Sequence, residues 1–244
     1  MTPITLYPAI DLMDGQCVRL SQGLASERTD YSGDPVAVAR DFEAQGAAWI
    51  HLVDLQGAFE GASKNWEVVK RIREAVSIKL ELGGGVRDAS VVDRVLDAGI
   101  DRAVIGTWAV RDPQAVGALA ARLGERIAIG VDARDGRVAV EGWTEVTDLT
   151  AEDFASRLAV LGAQTFIITD VATDGMLQGP NTDFLRRVAA RVPGATVIAS
   201  GGISGTHDLK TLRELGVENI RGVIVGRALY TGALTVRDAL TALD

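Results

Sequence analysis

The amino-acid sequence contains one internal repeat, and its landmarks recur in the same order in both halves of the chain. The offsets between matching positions range from 116 to 121 residues. A period of this length is too long for a solenoid repeat and instead indicates a closed structure of two duplicated halves, about 1–122 and 123–244. The matched segments are Ile10-Asp11-Leu12-Met13-Asp14-Gly15 with Val131-Asp132-Ala133-Arg134-Asp135-Gly136, Gly46-Ala47 and Val53-Asp54 with Gly162-Ala163 and Thr169-Asp170, Gly84-Gly85-Val86 with Gly201-Gly202-Ile203, and Ile105-Gly106-Thr107 with Val225-Gly226-Arg227.

Length and charge narrow the class of protein. The 244 residues suit a single barrel domain or two small domains, and 47% hydrophobic residues suffice for a large core. The net charge of −8 is spread without long runs of one sign, which disfavours a nucleic-acid surface. A small anionic substrate remains compatible with this charge, because backbone N–H groups and a few arginines can bind it locally.

The sequence also predicts where the protein works. The single cysteine, Cys17, cannot form an internal disulfide, which fits a reducing cytosol. The N-terminus has no basic region followed by an apolar run, and no apolar stretch approaches the roughly 20 residues of a membrane span. We therefore expect a cytoplasmic protein without a membrane partner, and we expect it to be a monomer.

Short apolar runs alternate with amphipathic runs along the whole chain. The predicted strands are Thr5–Ile10, Trp49–Val53, Lys79–Leu82, Ala103–Ile105, Ile127–Val131, Thr165–Thr169, Thr196–Ala199 and Gly222–Val225. The predicted helices are Pro35–Gln45, Trp66–Ala75, Ser90–Ala98, Pro113–Leu123, Ala151–Leu161, Asp183–Ala190, Thr206–Leu215 and Val236–Leu243. Eight alternating pairs predict an α/β fold, the (β/α)8 TIM barrel. A doubly wound open sheet is the alternative, but the two-fold repeat favours closure.

Two aspartates occupy equivalent strand ends. Asp11 and Asp132 follow the first and fifth predicted strands, so they should face each other across the mouth of a barrel. Two carboxylates on either side of one bound molecule suit general acid–base catalysis. The alternative is that each caps a turn. Asp14 and Asp135, each followed by glycine, are predicted to be turn residues instead.

Two sets of glycines follow the third and fourth strands and the seventh and eighth. Glycine lets backbone N–H groups approach a phosphate closely, so two matched sets predict two phosphates at opposite ends of one ligand. The alternative is that these glycines only permit tight turns. The phosphate-binding candidates are Gly84, Gly85, Arg87, Gly106 and Thr107 in the first set, and Gly201, Gly202, Gly226 and Arg227 in the second.

Four further residues are candidates. Asp174 and Thr169 lie at and after the sixth strand, Trp143 lies in the loop after the fifth, and Arg19 lies in the loop after the first. Each could instead have no role in a site: Asp174 could form a turn, the Thr169 hydroxyl could be satisfied in the core, Trp143 could be a packing residue and Arg19 a solvated charge. Two distant histidines and one cysteine give no zinc spacing, and the aspartates could bind Mg²⁺ although nothing requires it.

The chain resembles a known family over essentially its whole length. The motifs that carry the resemblance occur in the same order: Pro8-Ala9-Ile10-Asp11-Leu12, Val18-Arg19-Leu20, His51-Leu52-Val53-Asp54-Leu55, Gly83-Gly84-Gly85-Val86-Arg87, Gly142-Trp143, Thr169-Asp170 with Asp174-Gly175, Ser200-Gly201-Gly202 and Val225-Gly226-Arg227-Ala228-Leu229. They resemble the histidine-biosynthesis isomerases that act on phosphoribosylformimino-aminoimidazole carboxamide ribotide.

The resemblance implies an aldose–ketose isomerase built as a duplicated half-barrel. Its reaction would be an Amadori rearrangement of a bisphosphate substrate, and the resemblance implies neither a cofactor nor a metal. By position, Asp11 resembles the general base and Asp132 the general acid, while Asp174 and Thr169 match positions implicated in the same proton transfers. The sequence leaves open whether Asp132 or Asp174 is the principal acid.

Two related activities and one non-enzymatic role are the alternatives. The cyclase subunit of imidazole glycerol phosphate synthase usually has Cys before the first-strand Asp, where this chain has Ile10. A dual isomerase that also acts on phosphoribosylanthranilate usually has Arg where Glu141 stands and Ser where Gly83 stands, so these departures argue against dual activity. A sensor that only binds a bisphosphate would not need both Asp11 and Asp132.

Overall fold

The fold is a closed barrel of parallel strands surrounded by helices, as the sequence predicts. The computed structural model describes residues 3–21, 24–30, 34–60 and 64–244, and leaves the side chains of 19–33 and 59–63 undescribed. The strands are β1 (Thr5–Met13), β2 (Gln16–Ser21), β3 (Leu24–Asp30), β4 (Trp49–Asp54), β5 (Lys79–Gly83), β6 (Arg102–Ile105), β7 (Ile127–Arg134), β8 (Arg137–Val140), β9 (Glu145–Thr150), β10 (Thr165–Asp170), β11 (Thr196–Ser200) and β12 (Ile220–Val225).

Eight of these strands form the barrel. Their order is β1-β4-β5-β6-β7-β10-β11-β12, and β12 pairs in parallel with β1 to close the ring. The two halves meet where β6 pairs with β7 and where β12 pairs with β1, and within the second half β7 pairs with β10, with Asp132 beside Thr169. An open doubly wound sheet is therefore excluded.

The helices cover the outside of the barrel. They are α1 (Pro35–Ala44), α2 (Leu55–Glu60), α3 (Trp66–Ala75), α4 (Ala89–Asp97), α5 (Thr107–Arg111), α6 (Pro113–Leu123), α7 (Ala151–Val160), α8 (Thr182–Arg191), α9 (Thr206–Glu214), α10 (Arg227–Tyr230) and α11 (Val236–Leu243). All eight predicted helices are present, with ends within one residue of the prediction. The short helices α2, α5 and α10 were not predicted, because four to six residues are too few to show helical periodicity.

Side chains and glycines cap the helix ends. Asp34 and Asp112 each precede a proline and accept a hydrogen bond of 3.0 Å from the N–H of Val36 and Ala115, respectively. Four helices end at glycines with positive φ, between 65° and 112°: Gly46, Gly99, Gly162 and Gly216. These caps end the helices where the chain must turn back towards the barrel.

An antiparallel hairpin follows the first strand of each half. Asp14 and Gly15 turn the chain between β1 and β2, and Asp135 and Gly136 turn it between β7 and β8, all four with φ between 51° and 77°. The prediction that Asp14 and Asp135 are turn residues is confirmed. The tight turns let β1 and β7 continue into antiparallel strands, β2 and β3 after the first and β8 and β9 after the second.

The barrel interior differs between the two halves. Apolar side chains fill most of it, in a cluster of Tyr7, Ala9, Val104, Ala128, Ile167, Ile198 and Ile224. Three polar side chains interrupt this cluster in the first half: His51, Glu81 and Arg102. The outward faces of the same strands pack beneath the helices in a second, larger apolar cluster. In the part of the chain that the structure describes, no helix has the length and apolar character needed to cross a membrane.

Candidate active site

A cavity opens at the carboxyl ends of the barrel strands. Every predicted site residue whose side chain is described lines it: Asp11, Gly84, Gly85, Arg87, Gly106, Thr107, Asp132, Trp143, Thr169, Asp174, Gly201, Gly202, Gly226 and Arg227. Arg19 is the exception. Its backbone pairs with Thr29 in the hairpin, and its side chain lies outside the described part of the chain.

Asp11 and Asp132 lie on opposite sides of this cavity. Asp11 is on β1 and Asp132 on β7, and three barrel strands separate them in either direction around the ring. Asp11 is 8% exposed. The backbone of Asp11 pairs with Val18 of the hairpin on one side and with Val53 of β4 on the other, so β1 continues beyond Asp11. The two carboxylates therefore face one enclosed space from opposite walls.

The surroundings of Asp132 favour its protonated form. Burial raises the pKa of Asp132 above its ordinary value of 3.8. Hydrogen bonds from the side chains of Trp143 and Thr169 lower this pKa, as does the charge that His51 carries when it is protonated, but burial has the larger effect. A carboxyl group that keeps its proton to higher pH can serve as a general acid.

The glycine loops bring backbone segments into close contact. Gly84 has φ of 94°, and a Cβ atom there would lie 2.1 Å from the carbonyl oxygen of Asp54. Gly202 has φ of 85°, and its Cβ would lie 2.3 Å from the carbonyl oxygen of Gly179. At these two positions the turn itself requires glycine. The interpretation that these glycines permit tight turns therefore holds whether or not a phosphate binds.

Two short helices begin beside these loops. Gly106 precedes α5 and Gly226 precedes α10, without a side-chain cap on the first turn of either helix. Both glycines line the cavity. Their helices thus start with backbone N–H groups at its rim, on opposite sides of the barrel.

The two candidate arginines are tied to neighbouring loops. Arg87 donates to the carbonyl oxygen of Ala58 over 3.1 Å, and Arg227 donates through Nη1 to the carbonyl oxygen of Gly175. A guanidinium group has five N–H donors, so each arginine keeps further donors beyond this bond. The loop bonds hold both side chains at the cavity wall.

Equivalent hydrogen bonds between an asparagine and an aspartate stabilise the loop after β4 and the loop after β10. Asn65 Nδ2 donates to Asp54 Oδ1, and Asn181 Nδ2 donates to Asp170 Oδ2, each over 2.7 Å. Asn181 lies 116 residues after Asn65, and Asp170 lies 116 residues after Asp54. The duplication therefore extends to the side-chain contacts that shape the loops, including the one that carries Asp174.

The loop after β8 adopts an unusual backbone conformation. Glu141, Gly142 and Trp143 all have positive φ, between 52° and 71°. The N–H of Glu141 donates to Thr107 Oγ1 over 3.0 Å, and its carboxylate pairs with Arg111 Nη2 at 2.5 Å. These contacts turn the indole of Trp143 into the cavity, where it reaches Asp132.

Besides Glu141, the polar residues Ser200 and His51 line the cavity and were not predicted as site residues. Ser200 lines it next to Thr169, its neighbour on the adjacent strand, and His51 lies deeper, 9% exposed. The sequence leaves the direction of His51 open, but Ile50 and Leu52 on either side face the helices. That alternation is the signal that could have placed His51 inside the barrel. Among the described residues, no group of three or more His, Cys, Asp and Glu side chains could hold a metal ion.

The closed barrel and the cavity at the carboxyl ends of its strands define the class of (β/α)8-barrel enzymes. Within that class the chain belongs to the histidine biosynthesis protein family, whose model matches residues 5–235.

Similar curated proteins span the chain almost completely. The protein of Geobacillus thermodenitrificans is 46% identical over 244 residues, covering 100% of this chain and 99% of its own. That of Synechococcus sp. is 48% identical over 238 residues, covering 98% and 93%. That of Syntrophomonas wolfei is 45% identical over 236 residues, covering 96% of each chain. All three are named 1-(5-phosphoribosyl)-5-((5-phosphoribosylamino)methylideneamino) imidazole-4-carboxamide isomerase.

Proposed function

We propose that this protein is the aldose–ketose isomerase of histidine biosynthesis that its relatives are named for. It converts the bisphosphate aminoaldose into the corresponding aminoketose by an Amadori rearrangement. The observation that carries the proposal is the pairing of Asp11 and Asp132 across one cavity, with the pKa of Asp132 raised by burial. A reaction that needs one proton donor and one proton acceptor on opposite faces of a sugar fits this arrangement.

The proton transfers can be assigned to these two groups. Asp132 donates its proton to the ring oxygen of the ribosyl group as the C1–O bond breaks, and the amine lone pair forms the C1–N double bond. Asp11 then removes the C2 proton, and the electrons move to give an enaminol. Asp11 then returns its proton to C1 and the ionised Asp132 accepts the 2-hydroxyl proton, which produces the ketone and restores both carboxyl groups to their starting states.

The neighbours of Asp132 have supporting roles. Thr169 and Trp143 orient the carboxyl group by their hydrogen bonds, and the Trp143 ring is placed to stack on a flat part of the substrate. Asp174, on the loop after β10, is the alternative acid. The raised pKa favours Asp132 for this role.

The two phosphates of the substrate bind at the two glycine sets. Gly84, Gly85 and Gly106 with Thr107 and Arg87 form one site, and Gly201, Gly202 and Gly226 with Arg227 form the other. What supports this part of the proposal is their placement on opposite sides of one cavity, each beside the first turn of a short helix. Arg19 is proposed to add a contact to phosphate from the hairpin.

The specificity proposal rests on Glu141. This carboxylate already holds Arg111, so a carboxylate of phosphoribosylanthranilate would have to break that ion pair to gain a partner. We therefore propose that phosphoribosylanthranilate is a poor substrate. Rescue of a tryptophan auxotroph that lacks the anthranilate isomerase, at ordinary expression, would contradict this.

One assay separates the candidate functions. The purified protein alone is incubated with the histidine-pathway aminoaldose, and appearance of the aminoketose is followed, with Asp11→Asn as the control. An isomerase converts the substrate, whereas a sensor binds it unchanged and a cyclase consumes the ketose when ammonia is added. Absence of conversion by the unaltered protein would overturn the proposal. We further propose that the enzyme works in the cytoplasm as a monomer of two half-barrels, 1–122 and 123–244.

A further inference from the structure

Three buried polar side chains form a row beneath the cavity. His51, Glu81 and Arg102 occupy adjacent barrel strands, and the strand register aligns His51 with Glu81 and Glu81 with Arg102. Their exposures are 9%, 0% and 5%. Charged groups so deep in a barrel are uncommon unless they are paired.

The contacts within the row satisfy both oxygens of Glu81. His51 Nδ1 lies 2.7 Å from Oε1, and Arg102 Nη1 lies 2.9 Å from Oε2. Arg102 is itself fixed, since its Nε–H donates to the carbonyl oxygen of Glu125 over 2.8 Å and its guanidinium lies 4.4 Å from the Trp49 ring centre. Glu81 therefore has its charge balanced and its orientation set from below.

This arrangement selects one tautomer of His51. The guanidinium of Arg102 can only donate hydrogen bonds, and the ionised carboxylate of Glu81 can only accept them. Nδ1 must then carry a hydrogen, and in the neutral imidazole the lone pair lies on Nε2. Nε2 is the ring nitrogen that can serve the cavity that His51 lines together with Asp11 and Asp132.

The second half of the barrel shows that the fold does not need this row. By the repeat offsets of 116, 117 and 120, the equivalent residues are Ile167, Ile198 and Gly222. Ile167 and Ile198 belong to the apolar interior, and Gly222 leaves room for Tyr7, whose Cε2 would lie 2.8 Å from an added Cβ. Apolar packing thus serves the same structural positions, and a buried ion pair is weak as a source of stability.

We propose that His51 is a further substrate-contacting residue, which accepts a hydrogen bond at Nε2 from a hydroxyl or N–H group of the substrate, and that Glu81 and Arg102 are its positioning residues. The proposal rests on the proposed function for the identity of that substrate. The acceptor lies at the floor of the cavity, below the level of Asp11, because His51 pairs in register with Ala9. It therefore serves the uncharged middle of the substrate, between the two phosphates.

Nitrogen-15 NMR tests the tautomer and the contact directly, because the chain has only two histidines. His207 is exposed on α9 and serves as the internal reference. We expect His51 to show a protonated Nδ1 and an unprotonated Nε2, and we expect the Nε2 signal to move when the aminoketose product is added while His207 does not. A protonated Nε2 in the free enzyme, or an unmoved His51 signal with product bound, would overturn the proposal.

Two variants of His51 distinguish a contact with the substrate from a purely structural role, because each amide replaces one ring nitrogen. In His51→Asn the amide nitrogen replaces Nδ1 and keeps the bond to Glu81, but nothing replaces Nε2. In His51→Gln the amide oxygen lies near the Nε2 position. A contact to substrate predicts that Asn raises KM and lowers kcat/KM about tenfold, while Gln stays within about threefold of the unaltered enzyme. Equal losses, or a larger loss in Gln, would show a structural role only.

Glu81→Gln tests the positioning role without touching the cavity. Its amide oxygen pairs with Arg102, so the amide NH₂ group faces Nδ1 and drives the hydrogen to Nε2. We expect the NMR tautomer to invert and kcat/KM to fall about tenfold or more, since a donor now faces a donor. An inverted tautomer with unchanged kcat/KM would contradict the proposal. These readings differ from failure of the proposed function, which would show as an inactive unaltered enzyme.

Discussion

Asn181 donates a hydrogen bond of 2.7 Å to Asp170, and its counterpart Asn65 donates one of the same length to Asp54. The two pairs differ in their surroundings. Asn65 is fully buried and also contacts Gln56, Gly15 and the carbonyl oxygen of Leu12, whereas Asn181 is exposed and caps α8 through the N–H of Phe184. The equivalent hydrogen bond should therefore contribute differently to the free energy of unfolding in the two halves.

This difference predicts unequal costs for matched substitutions. Asn181→Ala should lower the free energy of unfolding by about 1 kcal/mol, the usual cost of a lost N-cap. Asn65→Ala should lower it by about 3 kcal/mol, because it removes four hydrogen bonds in a buried environment, including the one to the carboxylate of Asp54. Urea unfolding of both variants measures the difference. Equal costs would show that burial does not decide the weight of this link.

Asp11→Asn should abolish turnover while the fold persists. An amide is nearly isosteric with the carboxylate but cannot accept the C2 proton, and loss of a general base costs roughly 10²- to 10⁴-fold in kcat. Initial rates with the aminoaldose and a circular dichroism spectrum check both parts. A variant that turns over at a near-normal rate would remove Asp11 from the mechanism.

Asp132→Asn should lose activity but gain stability, in a way that depends on pH. The pKa of Asp132 is raised in the folded state, so its carboxyl group opposes folding once ionised and does not oppose it when protonated. As the pH rises from the ordinary value of 3.8 through the raised pKa, the free energy of unfolding of the Asn variant should increase relative to that of the unaltered protein. Above the raised pKa it should remain the higher of the two. Denaturation at a series of pH values measures this. A constant difference across that range would contradict the raised pKa.

Thr169→Val should move the alkaline limb of the pH–rate profile to higher pH. The Thr169 hydroxyl donates to Asp132 and lowers the pKa of that carboxyl, so its removal raises the pKa further. If Asp132 is the acid, kcat/KM falls as Asp132 loses its proton, and this fall should come later in the variant. An unmoved alkaline limb would point to Asp174 as the principal acid.

Arg87→Ala and Arg227→Ala should each weaken binding of the bisphosphate. A charge-assisted hydrogen bond contributes roughly 1.5–3 kcal/mol, so we expect a loss of about one to two decades in affinity. Calorimetric titration with the product measures it. Exposed Arg122, on the outer helix α6, offers a matched control that should not change affinity. A complex with only one phosphate site occupied would contradict the two-site proposal.

The barrel and most of the cavity could be predicted because local signals determine them. Strand-end aspartates, capping residues and glycines each act within a few residues, so the sequence displays them. The hairpins were missed because their pairing depends on β1 and β7 continuing beyond the barrel. The Arg111–Glu141 ion pair joins residues 30 positions apart, and no local pattern connects them. Glu81 lies between Leu80 and Leu82, and that alternation does indicate an inward carboxylate, although not its partners.

The unequal interiors of the two halves have a consequence for how such a barrel can be divided or rebuilt. A symmetric barrel assembled from two copies of the second half would contain two equivalents of Asp132 but only isoleucine and glycine where His51, Glu81 and Arg102 lie. Two copies of the first half would instead bury two rows of charge against each other across the axis. Only the unlike combination gives one apolar wall and one polar wall, so the two-fold symmetry persists in the backbone and at the strand ends but not in the barrel interior.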